Sequence, residues 1–368
     1  MKVKLRDCAQ LIKTRVGMEK ATYNNYVSTN NMLPNRGGIK FEDSNLPKSK
    51  TVNYYQKGDI LISNIRPYFK KIWLADRDGT RSGDVLCFRS DDPKLLGKYL
   101  YCTLQSDHFF NYVVSTSKGT KMPRGDKEAI LDYEFDLPTE KEQYKKYNPI
   151  IRIEEKIELN NQINDNLLEL ISLIWNKYSK DIKFKIMLQQ LAQNIITGKT
   201  PNTKIKENYG TDIPFVKIPD MHNKVFIDET MQSLSLLGAN SQKSKYLPPN
   251  SIMVSCIGTP GLVSLTGTTV QTNQQINSLI LKPKYLYCTF LELKSLKDKI
   301  GNLGSGGTTI KNLNKSDFSN LEITVPDRES ILDKFNNIAR PIFDQIHTNN
   351  IETKKLMQLK ASLLNKYF

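Results

Sequence analysis

The sequence predicts an α+β fold: two tandem mixed α/β modules related by a pseudo-two-fold axis and joined by two long antiparallel coiled-coil-like helices. Three observations carry this reading: an internal repeat, matched strand-like runs in the two halves, and a heptad-like tract after each module. Lys98-Tyr99-Leu100-Tyr101-Cys102-Thr103 recurs unchanged as Lys284-Tyr285-Leu286-Tyr287-Cys288-Thr289. Neighbouring signals return at nearly the same offset. Ser117-Lys118-Gly119-Thr120 answers to Ser305-Gly306-Gly307-Thr308, and Asn176-Lys177-Tyr178 to Asn365-Lys366-Tyr367. Such a duplication divides the chain into a first module (1–138), a helical region (139–183), a second module (184–326) and a second helical region (327–368).

Within the first module, 59–63 and 84–89 are short β-branched or aromatic runs, punctuated by Gly58, Gly79 and Gly83 as turns. The runs 251–255 and 276–281 play the same parts in the second module. Tracts 23–50 and 205–244 share little, so the modules have one frame and unlike insertions. Thr139 after Pro138, with Glu142 three residues on, starts the first long helix as a capping box. Asp327 after Pro326, with Glu329 in the first turn, starts the second. Pro149 and Pro341 are expected to kink or break these helices, because a mid-helix proline removes a hydrogen bond and crowds the preceding turn.

Beyond the prolines the apolar spacing is heptad-like. Ile150, Ile153, Ile157, Leu167, Ile171, Ile174 and Tyr178 form one seam, interrupted by Asn160 and Asn164. Ile342, Ile346, Leu356, Leu359 and Leu363 form the other, interrupted by Asn349. Polar residues in such a seam cost stability but fix register. Roughly 26 to 31 helical residues span about 39 to 46 Å, comparable with DNA half-sites one duplex turn apart, roughly 34 Å.

Charge points the same way. The 53 Lys+Arg outnumber the 38 Asp+Glu, for a net +15, which favours a polyanion such as DNA. The five cysteines form no Cys-x-x-Cys pair, and the three histidines are scattered, which argues against a disulfide framework or a zinc site. Cys102 and Cys288 sit among apolar neighbours and read as core. No signal-like leader and no run of about 18 apolar residues is present. The chain reads as cytoplasmic, with no membrane partner.

The tract 58–67, followed by Lys70-Lys71 and 82–86, resembles one class of target-recognition domain in type I restriction–modification specificity subunits. Gly258-Thr259-Pro260-Gly261 with Asn273-Gln274-Gln275-Ile276 resembles another class of the same family. Ser305 to Thr308, Leu313, Asp317-Phe318 and Ile323-Thr324-Val325-Pro326 resemble the family's lead into a conserved helix. The resemblance spans nearly the whole chain. It implies two recognition domains reading a split target in double-stranded DNA, in a complex with two methyltransferase subunits and, for cleavage, restriction/translocase subunits. It implies no cofactor on this chain, with S-adenosylmethionine, ATP and Mg on the partners, where an adenine is flipped and methylated. The first half departs from the pattern by carrying Ser117-Lys118-Gly119-Thr120-Lys121-Met122-Pro123-Arg124 where a glycine-richer loop is common.

Phosphate contacts position such a protein and base contacts specify. Arg66, Lys70, Lys71, Lys118, Lys121 and Arg124 are the phosphate candidates in the first module, and Lys243, Lys245 and Lys311 in the second. Asn64, Tyr68, Asn273, Gln274 and Asn312 are the base candidates, since Asn and Gln can bond adenine bidentately.

Catalytic chemistry is hard to find. Leu247-Pro248-Pro249-Asn250 lacks the flanking residues of an amino-methyltransferase tetrad, and Gly198-Lys199-Thr200 has Gln193 where a phosphate loop needs glycine. Asp327 with Glu352 and Lys354 imitates a nuclease, but the latter two fall far along a predicted helix, whereas metal-dependent cleavage needs converging carboxylates. A non-catalytic subunit is therefore expected. The alternatives are a duplicated protein-interaction scaffold or a specificity subunit of a related bifunctional restriction system.

Overall fold

The computed structural model describes residues 1–41, 44–180, 184–298, 300, 313–326 and 328–368. The chain forms two compact units, Met1–Glu158 with Lys354–Phe368, and Leu159–Thr353. The helix-start signal at Asp327 and the loop Ser305 to Thr308 lie outside the described residues.

The first unit is built on an antiparallel sheet in the order Ala9–Leu11, Val85–Ser90, Ile60–Ser63, Ile72–Leu74. Its central strand Ile60–Ser63 is buried throughout, as expected for a strand covered on both faces. A second sheet runs Arg15–Gly17, Thr51–Tyr55, Gly79–Arg81, Tyr26–Val27, the last pair parallel. A two-stranded ribbon, Lys2–Lys4 with Glu134–Asp136, closes the module just before the long helix.

The second unit repeats this plan. Ala192–Thr197, Ile276–Leu281, Ile252–Ser255 and Val263–Thr266 form its main sheet, extended by Phe226–Ile227. Its second sheet again ends in a parallel pair, Phe215 and Val216 against Gln271 and Thr272. Lys185–Met187 with Glu322–Thr324 forms the ribbon. The duplication read from the hexamer is thus a duplication of topology. The four strand-like runs predicted from sequence are the central strands of the two main sheets.

The repeated hexamer lies within Gly97–Gln105 in the first unit; in the second it spans a short turn and the helix Leu286–Ser295. Cys102 and Cys288 are fully buried there, and burial pushes the Cys288 thiol up to about 12. Both are packing residues, as their neighbours predict. Phe109, Phe110, Leu100 and Phe88 dominate the first core. Trp175, Phe290, Phe335 and Phe343 dominate the second.

The long helices are Glu140–Ser179 and Glu329–Tyr367. At the first start, the Thr139 backbone N–H and hydroxyl both donate to the Glu142 carboxylate, at 3.1 and 2.9 Å. Neither Pro149 nor Pro341 breaks its helix. Both rings are exposed, and so are Lys145 and Asn337, whose carbonyls each proline leaves without an N–H partner. Water can satisfy those carbonyls, while the buried Ile150, Ile151 and Phe343 hold the adjacent turns.

The seam is partly as predicted. Ile171 and Ile346 are fully buried, whereas Ile157, Leu167, Ile174, Leu356 and Leu363 are half-buried. In the second unit Asn160 donates to Glu352 at 2.8 Å, Asn164 to Asn350 at 2.9 Å, and Asn349 to Asn164 at 2.8 Å. Rising numbers on one helix meet falling numbers on the other, so the segments are antiparallel. Leu359 contradicts the seam reading: it is 49% exposed, and Lys360 and Leu364 are buried instead. The reason is an ion pair within the first unit, Lys360 Nζ to Glu154 Oε1 at 2.5 Å, which rotates the lysine inward.

Candidate nucleic-acid interface

In the first unit three loops meet beyond the end of strand Ile60–Ser63. The Asn64 N–H donates to the Asp84 carbonyl at 2.8 Å, and the Gly125 N–H to the Asn64 carbonyl at 3.2 Å. The Arg66 N–H reaches the Pro123 carbonyl at 2.8 Å, while Lys118 and Arg124 exchange two backbone bonds of 2.9 Å. The loop at 34–37 joins from the other side, with Asn35 N–H on the Phe69 carbonyl at 2.8 Å and Arg36 N–H on that of Lys70 at 2.9 Å. Asn35, Arg36, Arg66 and Lys70 all have positive φ without being glycine. Backbone of that kind persists only where surroundings enforce it, and it gathers at functional sites.

The predicted cations divide by what the fold gives them. Arg66 and Lys121 are exposed, and Arg124 is exposed while leaning on Asp84 at 3.2 Å. Lys118 is exposed but ion-paired with Asp126, which holds the Asp126 carboxyl below its usual range. Lys70 is turned inward onto Asp107 at 2.6 Å, and Lys71 donates to the Thr29 carbonyl at 2.6 Å. Burial lowers the Lys71 pKa. Arg66, Lys118, Lys121 and Arg124 are thus the exposed candidates of this module, while Lys70 and Lys71 are tied into the loop.

The base candidates divide too. Asn64 is buried beneath the loop, where its backbone rather than its amide is used. Tyr68 is 48% exposed and packs on Phe69, itself exposed, with ring centroids 4.8 Å apart. Met122 is exposed on the facing loop. Phe69, Met122, Arg36 and Asp107 escaped the sequence reading. The signal for the first two was the placement of large apolar residues between cations in short loops.

The second unit keeps the scaffold and changes the loop chemistry. The Cys256 N–H donates to the Gln275 carbonyl at 2.8 Å and the Leu313 N–H to the Cys256 carbonyl at 3.0 Å, matching the bonds around Asn64. The Asn273 N–H on Val216 at 3.1 Å matches Ser82 on Val27 at 2.8 Å. Gly261 has positive φ, and a Cβ there would lie 2.8 Å from the Lys297 carbonyl oxygen. Only glycine fits that approach. Asn273 is buried and closed on Gln275 at 2.8 Å, so it shapes the turn instead of facing outward. Gln274 is exposed, and its Oε1 accepts from the Thr200 hydroxyl at 2.6 Å. Lys243 is exposed and Lys245 half-buried in one short turn. Lys311 and Asn312 lie outside the described residues.

The sequence features that imitate catalysis take structural places. A Cβ on Gly198 would meet the Asn273 carbonyl oxygen at 2.1 Å, so this glycine lets the chain pass close beneath the 272–273 turn. Glu352 accepts from Asn160 between the long helices. Among the described residues no group of three or more His, Cys, Asp or Glu could hold a metal ion, and no helix is long and apolar enough to cross a membrane.

A family model described as the type I restriction modification DNA specificity domain matches residues 1–169 and again 185–361. The chain is similar to the HindI specificity subunit of a type I restriction enzyme from Haemophilus influenzae, at 31% identity over 84% of this chain and 85% of that one. It is also similar to the MjaIX specificity subunit from Methanocaldococcus jannaschii, at 24% identity over 87% of this chain and 78% of that one. Among solved structures, a type I restriction–modification S subunit from M. genitalium shares the fold with a TM-score of 0.59. That match has 15% identity and covers 100% of this chain and 96% of that one.

Proposed function

The chain belongs to the type I restriction–modification DNA specificity family, and from that membership we propose that it reads a two-part target in double-stranded DNA, one part per module. The carrying observation is one loop scaffold built twice with different side chains. The same backbone bonds surround Asn64 and Cys256, but Arg66, Tyr68 and Phe69 follow the first while Gly258 and Gly261 follow the second. Equal frames with unequal loops suit two sites of one kind and unlike specificity.

The subunit itself carries no catalysis in this reading. It assembles with two methyltransferase subunits, and with restriction/translocase subunits when DNA is cut. S-adenosylmethionine, ATP and Mg act on those partners. The methylated adenine must leave the stack to be reached, so this chain's contribution is to hold the duplex in register while a partner does so.

The test is a module exchange. Replacing residues 1–138 with those of a relative that reads another target should change one part of the methylated sequence and leave the other unchanged. If both parts change together, the modules do not read separately. A second measurement concerns the phosphate cations. The log–log dependence of duplex affinity on salt should flatten by about 0.9 for each phosphate that the protein no longer neutralises. Arg66→Ala with Arg124→Ala should therefore reduce the slope by roughly two, and an unchanged slope would remove both residues from the interface.

A further inference from the structure

Asp107 is the first residue of the helix Asp107–Ser115, which Ser106 caps by accepting the Phe109 N–H at 3.1 Å. Its carboxylate lies in the helix's first turn, where it suits the positive end of the helix dipole. It also accepts from two cations on two different loops, Lys70 Nζ at 2.6 Å and the Arg36 guanidinium. Those hydrogen bonds, from Lys70 first and Arg36 second, keep the Asp107 carboxyl below its usual range. The Arg36 Nε donates in addition to the Gln105 carbonyl at 2.5 Å, so the guanidinium is anchored on both sides of the same corner.

Lys70 and Arg36 both carry left-handed backbone, and their peptide groups are bonded to each other, Arg36 N–H on the Lys70 carbonyl. Left-handed backbone is unfavourable for lysine and arginine, so something must hold it. One carboxylate binding both side chains is such a restraint, and it lies at the base of the turn Pro67–Phe69 that exposes Tyr68 and Phe69. All three groups are partly exposed, with 44% of the Asp107 side chain reachable by solvent, so the pairs add little to global stability.

We infer that Asp107 is a positioning residue for the first module's reading loop: by joining Lys70 to Arg36 it fixes the direction of Arg66, Tyr68 and Phe69 and so sets discrimination at one part of the target. The inference rests on the DNA-reading function proposed above. It makes an uncommon demand, since removing the acid frees two cations. Non-specific attraction to the duplex should hold or rise while selectivity falls.

The experiment uses the whole chain assembled with its methyltransferase subunits and duplexes mismatched in one target part at a time. Asp107→Asn keeps the shape and removes the charge. Discrimination at the first module's part should fall about tenfold, the scale of one missing base-pair preference, while the other part stays within twofold. Affinity for unrelated duplex should not fall. Asp107→Glu, which can still bridge both cations, should recover most of the discrimination. Asp132→Asn, which removes a surface acid paired with Lys4 and Arg6 in the same unit, should leave both parts unchanged. Equal losses at both parts, no loss at either, or a parallel loss of non-specific affinity would each overturn the inference while the split target stands. A wild-type complex with no split target would instead overturn the function on which it rests.

Discussion

Trp175→Ala is expected to destabilise the second unit by about 3–5 kcal/mol, the cost of emptying a large aromatic site that cannot collapse. Trp175 is 2% exposed and lies against Phe335, ring centroids 4.8 Å apart. Its Nε1–H donates to Glu292 Oε1 at 2.7 Å, and the other oxygen of that carboxylate accepts the Thr324 N–H at 2.9 Å. The indole therefore joins the first long helix to the helix Leu286–Ser295 and, through Glu292, to the ribbon strand Glu322–Thr324. Removing it leaves a cavity and also deprives a half-buried carboxylate of a donor. Trp175→Phe keeps the packing but loses the hydrogen bond, and should cost about 1–2 kcal/mol. Urea denaturation followed by circular dichroism measures both. A loss below about 1 kcal/mol for the alanine variant would mean that the helix is held elsewhere.

The parts of this fold that could be read from sequence are those where one residue type has one physical meaning. The hexamer repeat located the same packed corner in each half. The runs around Ile60 and Ile252 were legible because continuous β-branched residues between turn signals suit strands covered on both faces. Short edge strands were not. Tyr26–Val27 is two residues long, too short for any period, and is defined by its parallel neighbour at Thr80 and Arg81. Leu359 was misplaced because a binary pattern scores Lys360 as solvent-facing, yet a lysine can bury its stem when a carboxylate meets its ammonium.

The candidate site was legible in the sequence as a region and not as a set of side-chain placements. Arg66, Lys70, Lys71 and Arg124 look alike in sequence. What separates them is remote: Asp107 claims Lys70, Thr29 claims Lys71, and Arg66 is exposed. Asn64 and Asn273 were plausible base readers by chemistry alone, but both are buried, and the Asn273 side chain accepts the Gln275 N–H within its own turn. Spacing can nominate such residues; only the packing of distant segments decides which of them are exposed.

Glu154→Ala is the second substitution with a large expected effect, and it separates the worth of an ion pair from the cost of breaking one. Lys360 and Glu154 bring two long-helix segments together in the first unit, with only 11% and 22% of their side chains exposed. The Tyr101 hydroxyl donates to the same Glu154 oxygen at 3.4 Å. Removing the acid leaves a buried ammonium without a counter-charge, which should cost about 3 kcal/mol. Replacing both partners, Glu154→Leu with Lys360→Met, removes the charge together with its counter-charge and should return most of that stability. The readout is the urea midpoint of the first unit. In a Trp175→Phe background, Trp73 on the strand Ile72–Leu74 is the one remaining tryptophan of the two and reports on that unit. If the double variant is as unstable as the single one, the pair contributes attraction in its own right. If it recovers, the pair's role is register: a lysine in a seam otherwise suited to leucine permits the alignment that brings Glu154 opposite, and penalises any other.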